Sequence, residues 1–182
     1  MNLRVLLTVL LIAAAALLWH ALPVKTQIYA PFDVHGRIGK PLTGRGLRAT
    51  VNRAGIAPTA VARPAGHPST ATGIWVVVDT TLESTDTAET AQADLLVGPN
   101  TYTPSEQFLT GVGYLQPGIT QHRFWVFDVA PDVLESVTAV VLRIWLSDPR
   151  LDNRLLIDIP LDRAEVSRSA SVDVPRTVLE SA

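Results

Sequence analysis

The chain has 182 residues, room for one ordinary domain plus an appendage, and 47% of them are hydrophobic, ample for a packed core. A net charge of −2 excludes the global basicity of a nucleic-acid binder, and no nucleic-acid partner is expected. The absence of cysteine excludes a disulfide framework, a thiol nucleophile, cysteine-ligated zinc and acylation at a lipobox.

Charge is unevenly spread. Residues 1–73 carry eight Lys/Arg and a single acid, Asp33, which leaves seven bases against sixteen acids in the rest. Contact with anionic lipid headgroups or an acidic polymer is one reading of the basic third. A solvated surface whose two parts attract each other is the preferred one, because the bases are dispersed rather than blocked together.

The apolar run from Val5 to Val24, broken only by Thr8 and His20, follows a positive end at Arg4. A bilayer core of about 30 Å needs roughly 20 helical residues, so residues 1–24 are expected to form an uncleaved signal anchor, a transmembrane helix. A cleaved signal is the other reading, but cleavage after Ala21 or Ala30 would place Trp19 or Ile28 where a small residue is preferred. In either case the remainder is exported, outside the cytoplasm. Residues 25–45, rich in Gly, Pro and polar residues, are expected to be a stalk and entry segment, with "HGRIG" as a short first strand.

From residue 46 to 162 the pattern is β throughout. "GLRATVN" and "TAVAR" alternate with period two and are separated by a breaker around Gly55 and Pro58. "GIWVVVDTTLES" is β-branched and aromatic, and its continuous apolar middle predicts a central strand covered on both faces. "ADLLV" and "TYT" flank "GPN" as a hairpin, and "PSEQFLTG" holds a short helical turn with Phe108 and Leu109 as its buried side. Pro117-Gly118 makes a tight corner into "HRFWVFDV", where Phe124 and Val126 point one way and Trp125, Phe127 and Val129 the other. Pro131, with no N–H, ends that ladder, and "VTAVVLRIWL" and "RLLIDIPL" are the last strands before a C-terminal tail over 163–182. Seven or eight short strands without a long soluble helix predict an all-β, immunoglobulin-like antiparallel sandwich.

"GIWVVVDTTLES", "ADLLVGPNTYTPS" and "LQPGITQHRFWVFDVAPD", in that order, resemble a family of bacterial, often actinobacterial, secreted or membrane-anchored immunoglobulin-like domains of unknown function. Automatic labels often call its members telomeric repeat-binding factors, a label at odds with an acidic, exported domain. The sequence departs from the family pattern at the inserted Ala130, at Ser84 where Asn is favoured, and in lacking the lipobox cysteine. The resemblance implies a sandwich presented at the outer face of a membrane, and it brings no catalytic residues.

Motif chemistry is sparse. His20, His35, His67 and His122 are far apart, with no zinc-ligand spacing, P-loop, dinucleotide fingerprint or nucleophile elbow. His122 and Asp128 share a strand face but lie about 20 Å apart at ~3.3 Å per residue, too far to pair as acid and base. Asp79, Asp94, Asp148, Asp152 and Asp158 are carboxylates that folding would have to gather for calcium binding or glycoside hydrolysis, and "SDPRLDN" lacks the alternate-position pattern of a calcium loop. No cofactor, metal or enzymatic activity is expected. Trp75 and Trp125 are read as core, whereas Trp145 shares its strand face with Arg143 and Ala139 and is placed at the surface or an interface. Trp145, Arg143 and Trp125 are therefore the candidate binding residues, for an envelope protein partner or, with exposed tryptophans as a stacking platform, for a cell-wall glycan.

Overall fold

The computed structural model describes residues 3–21, 32–64, 66–108, 113–148 and 154–181. The chain divides into two compact units, Met1–Ala30 and Pro31–Ala182. The first contains helix α1, Leu3–Ala21. At about 1.5 Å per residue its 19 residues rise about 28 Å, and among the described residues no helix is long and apolar enough to cross a membrane. Residues 22–24 of the expected anchor lie outside the described residues.

The second unit is a sandwich of two sheets. One takes β1 (Asp33–Arg37), β9 (Arg154–Pro160), β8 (Ala139–Leu146), β5 (Ala91–Val97) and β6 (Asn100–Tyr102), in that order. The other takes β10 (Val166–Arg168), β3 (Leu47–Ala62), β4 (Pro68–Ser84), β7 (Ile119–Val129) and β12 (Val178–Ser181), with β2 (Leu42–Thr43) and β11 (Ser171–Val174) also on β3. Between the sheets lies one continuous core that includes Leu47, Val76, Val78, Trp125, Phe127, Leu142, Ile144 and Ile157.

The all-β sandwich holds, with three corrections. The sheets are mixed rather than antiparallel, because β1 runs parallel to β9, and β10 and β11 parallel to β3. Twelve strands are described instead of seven or eight; the short first strand expected at "HGRIG" is β1, and the additions are β2 in the expected stalk and β10 to β12 in the expected tail. The sandwich boundaries of 46 and 162 thus widen to the whole of Pro31–Ala182. These added strands are two to four residues long. Such strands hold on by backbone pairing, which leaves almost no period-two signature to read.

The third correction concerns β3. The two strands expected on either side of Gly55 and Pro58 are one 16-residue strand, in which register shifts at Val51/Arg53 and Ala57/Thr59 absorb the irregularity. A bulge bends a strand without ending it. Beyond the second shift, the β3–β4 arm packs over the outward face of its own sheet. Ala60, Trp75, Val77, Phe108, Val126 and Val174 form a second buried cluster there, and the Trp75 Nε1–H donates to Ser69 O at 2.9 Å.

Strand β4 is central and covered on both sides, as its apolar middle predicts: Val76 and Val78 enter the main core, Trp75 and Val77 the second cluster. Its bend depends on Gly73, where an added Cβ would sit 2.2 Å from Val129 O. Asp128 holds the same point, accepting from the Thr72 and Gly73 backbone N–H groups at 2.9 and 2.8 Å. The Pro117-Gly118 corner is present, with Gly118 at φ 74°. Helix α2 (Pro131–Glu135) starts at Pro131 and stops the ladder of β7. The "EQF" turn buries Phe108, and Leu109 lies outside the described residues.

Candidate functional site

Two outward surfaces and one buried cluster carry the polar chemistry of the sandwich. The buried cluster sits where β7 turns polar on its inward face. Gln121, Arg123, Trp125, Phe127 and Val129 alternate into the interior, and Arg123 is only 1% exposed. Its guanidinium donates to Ala91 O at 3.0 Å and Gly113 O at 3.2 Å, and it lies 4.9 Å over the Trp125 ring. Burial pushes this guanidinium down from its ordinary value to about 10. Beside it the Trp125 indole donates to Thr80 Oγ1 at 3.0 Å, and that hydroxyl donates to Arg123 O at 2.9 Å. The arrangement pins the chain at Gly113 to β5, a structural task that no sequence pattern announces.

The outward face of the five-stranded sheet is where Arg143 emerges. Register sets His35, Leu156, Arg143 and Asp94 side by side across β1, β9, β8 and β5, and the next row holds Arg37, Asp158, Val141 and Leu96. Arg143 Nη2 meets Asp94 Oδ2 at 2.5 Å, and its guanidinium lies 5.6 Å over the Trp145 ring. Leu96, Val141 and Leu156 are half-buried and belong to neither core cluster.

Among the three candidate binding residues, only Arg143 lies within reach of a partner. Trp145 is 7% exposed and Trp125 2%, while Trp75 is 3% exposed. Placing Trp145 at the surface is therefore corrected: parity puts it on the outward face, but it is buried there with its Nε1 unpartnered. Trp125 is core, bonded to Thr80. These rings do not form an exposed stacking platform.

A groove of about 600 Å³ lies on the outward face of the seven-stranded sheet, against β10 and β11. Its floor is Val77 and the half-buried Phe124. One wall is Arg53, whose Nε meets Asp79 Oδ2 at 3.0 Å. Another is Arg63, whose Nη2 meets Asp173 Oδ1 at 2.9 Å. Gly55 makes the adjoining packing feasible, since a Cβ there would stand 2.8 Å from Val172. With Arg48 and Glu83 at 3.0 Å, three bases of the basic first part meet acids of the acidic remainder. This is the mutual attraction the charge distribution suggests.

His122 and Asp128 do not meet. His122 lies 3.4 Å from both Thr81 Oγ1 and Glu180 Oε2, while Asp128 holds the bend of β4. Among the described residues no three His, Asp or Glu side chains gather as metal ligands, and Asp152 lies outside them.

No protein-family model matches this chain, and no curated protein does. Among solved structures it is similar to an uncharacterized beta-sandwich protein from Clostridium difficile 630, at 16% identity and a TM-score of 0.47, over 71% of this chain and 95% of that one.

Proposed function

We propose that this protein is a membrane-anchored, extracytoplasmic binding or accessory protein of the cell envelope, which presents its sandwich to a partner protein. The observation that carries the reading is the outward face of the five-stranded sheet. Leu96, Val141 and Leu156 remain only half-buried there, around the Arg143–Asp94 ion pair. An apolar centre flanked by a partly exposed, ion-paired arginine is the composition of protein-contact surfaces. The strand order supports the immunoglobulin-like assignment, with β3-β4-β7 in one sheet and β6-β5-β8-β9 in the other.

The anchor rests on α1, whose sequence from Val5 to Ala21 is apolar apart from Thr8 and His20, with no polar stripe at helical spacing. A helix apolar all round belongs in a core or a lipid phase. The sequence continues this run through Leu22, Pro23 and Val24.

The test places a photo-crosslinking amino acid at Leu156 or at Ser167 in the full chain, expressed in a bacterial membrane, with external protease to report sidedness. A discrete adduct from position 156 that disappears in Arg143→Glu is expected, together with digestion of the sandwich from outside. Adducts of equal yield from both positions, or a sandwich protected from protease, would overturn the proposal.

A further inference from the structure

We infer that the groove on the opposite, seven-stranded face is a binding site for an uncharged saccharide. This inference is independent of the protein-partner surface. The backbone beneath the groove is already committed: β3, β4 and β7 pair with one another, and β10 and β11 pair with β3. A ligand there meets side chains, so strand addition to this floor is excluded.

Charge narrows the ligand class. Arg53 is neutralised by Asp79 and Arg63 by Asp173, so the walls offer no net charge to an anion. Each pair still presents donors beside acceptors. Arg53 engages Asp79 through Nε, and its terminal nitrogens donate to no described group. Asp79 is held from its other side by Asn52 Nδ2 at 3.2 Å, which fixes the carboxylate. A guanidinium beside a carboxylate is matched by vicinal hydroxyls, each of which both donates and accepts. The β10–β11 rim adds hydroxyl groups at Ser167 and Ser171.

The floor supplies the remaining requirement. Phe124 stands in register with Asp79 on the neighbouring strand, so an aromatic surface adjoins the polar wall. A sugar ring has an apolar C–H face and a polar hydroxyl edge, and this floor and wall meet both. A volume of about 600 Å³ lies within the range of small-ligand sites, ~300–1,000 Å³. The buried tryptophans are not needed for this reading.

The experiment uses the full chain in micelles of a polyoxyethylene detergent, which carries neither sugar nor phosphate. Maltotetraose, cellotetraose and the N-acetylglucosamine tetramer are titrated by calorimetry, with inorganic phosphate in a separate arm. Saturable binding of at least one tetrasaccharide at millimolar or tighter affinity is expected, with none for phosphate. Phe124→Leu, which keeps an aliphatic floor, should weaken binding roughly tenfold or more through loss of the ring face. Arg63→Gln, at a side chain 54% exposed, should weaken it several-fold with the thermal midpoint unchanged. Binding by none of the three sugars, tighter binding of phosphate, or undiminished binding in both variants would overturn the assignment. Any of these results leaves the crosslinks on the other sheet intact, so failures of the two readings are distinguishable.

Discussion

Replacing Arg123 by methionine tests whether a buried cation without a carboxylate partner holds the polar end of the sandwich together. The side chain is 1% exposed and donates to Ala91 O and Gly113 O. Methionine fills similar space, so the cavity contribution is small. Two buried carbonyls are then orphaned, at about 2 kcal/mol each, and the desolvated cation–π contact with Trp125 is lost, about 2 kcal/mol more. Against this stands relief of the charge. Burial lowers the guanidinium from its ordinary value to about 10, and at about 1.4 kcal/mol per pH unit the folded cation costs roughly 3 kcal/mol at neutral pH. The balance is a net loss of about 3 kcal/mol, read as a lower urea midpoint for residues 31–182 at unchanged slope.

Arg123→Lys should be worse than methionine, because it keeps a strongly hydrated charge and loses the fork that spans two carbonyls. The pH dependence supplies an independent check. Above pH 10 the unfolded chain still retains the Arg123 proton while the folded chain releases it, so wild-type stability gains as pH rises past that value. The gap between wild type and Arg123→Met should therefore widen by about 1 kcal/mol from pH 9 to pH 11. A methionine variant as stable as wild type, or a gap that narrows with pH, would refute the reasoning.

Two further outcomes follow from the bend of β4. Gly73→Ala should cost more than about 3 kcal/mol, because its Cβ would stand 2.2 Å from the backbone oxygen of Val129, which has no room to give; thermal unfolding measures it, and a midpoint within a degree of wild type would count against the geometry. Asp128→Ala removes a carboxylate that accepts two backbone N–H groups and should cost about 2–3 kcal/mol; faster amide exchange confined to Thr72 and Gly73 is the accompanying sign, and unchanged exchange there would contradict it.

Several elements were legible in the residues because local rules decide them. Pro117-Gly118 is a corner wherever it occurs between strands, since proline presets φ and glycine accepts the left-handed φ of 74° seen here. The unbroken apolar middle of β4 signals cover on both faces, and both clusters supply it. His122 and Asp128 fall out as an acid–base pair from strand spacing alone. Trp145 was not legible. Parity told its face correctly, but parity is silent on what lies over that face, and the ring is buried.

By itself the sequence determined a cysteine-free, two-part chain, the β character of its second part, the order of its long strands and the lack of motif-borne catalytic chemistry, because composition and period-two alternation act over short distances along the chain. Only the tertiary structure decided that the expected stalk joins the sandwich and the expected tail forms sheet strands, that Arg123 is interior, and that Arg53, Asp79, Phe124 and Arg63 line one groove. Those outcomes depend on backbone pairing between residues as far as 121 positions apart, as between Asp33 and Arg154, and on a bend that folds one hairpin over its own sheet, and neither leaves a periodic trace in the residues that carry it.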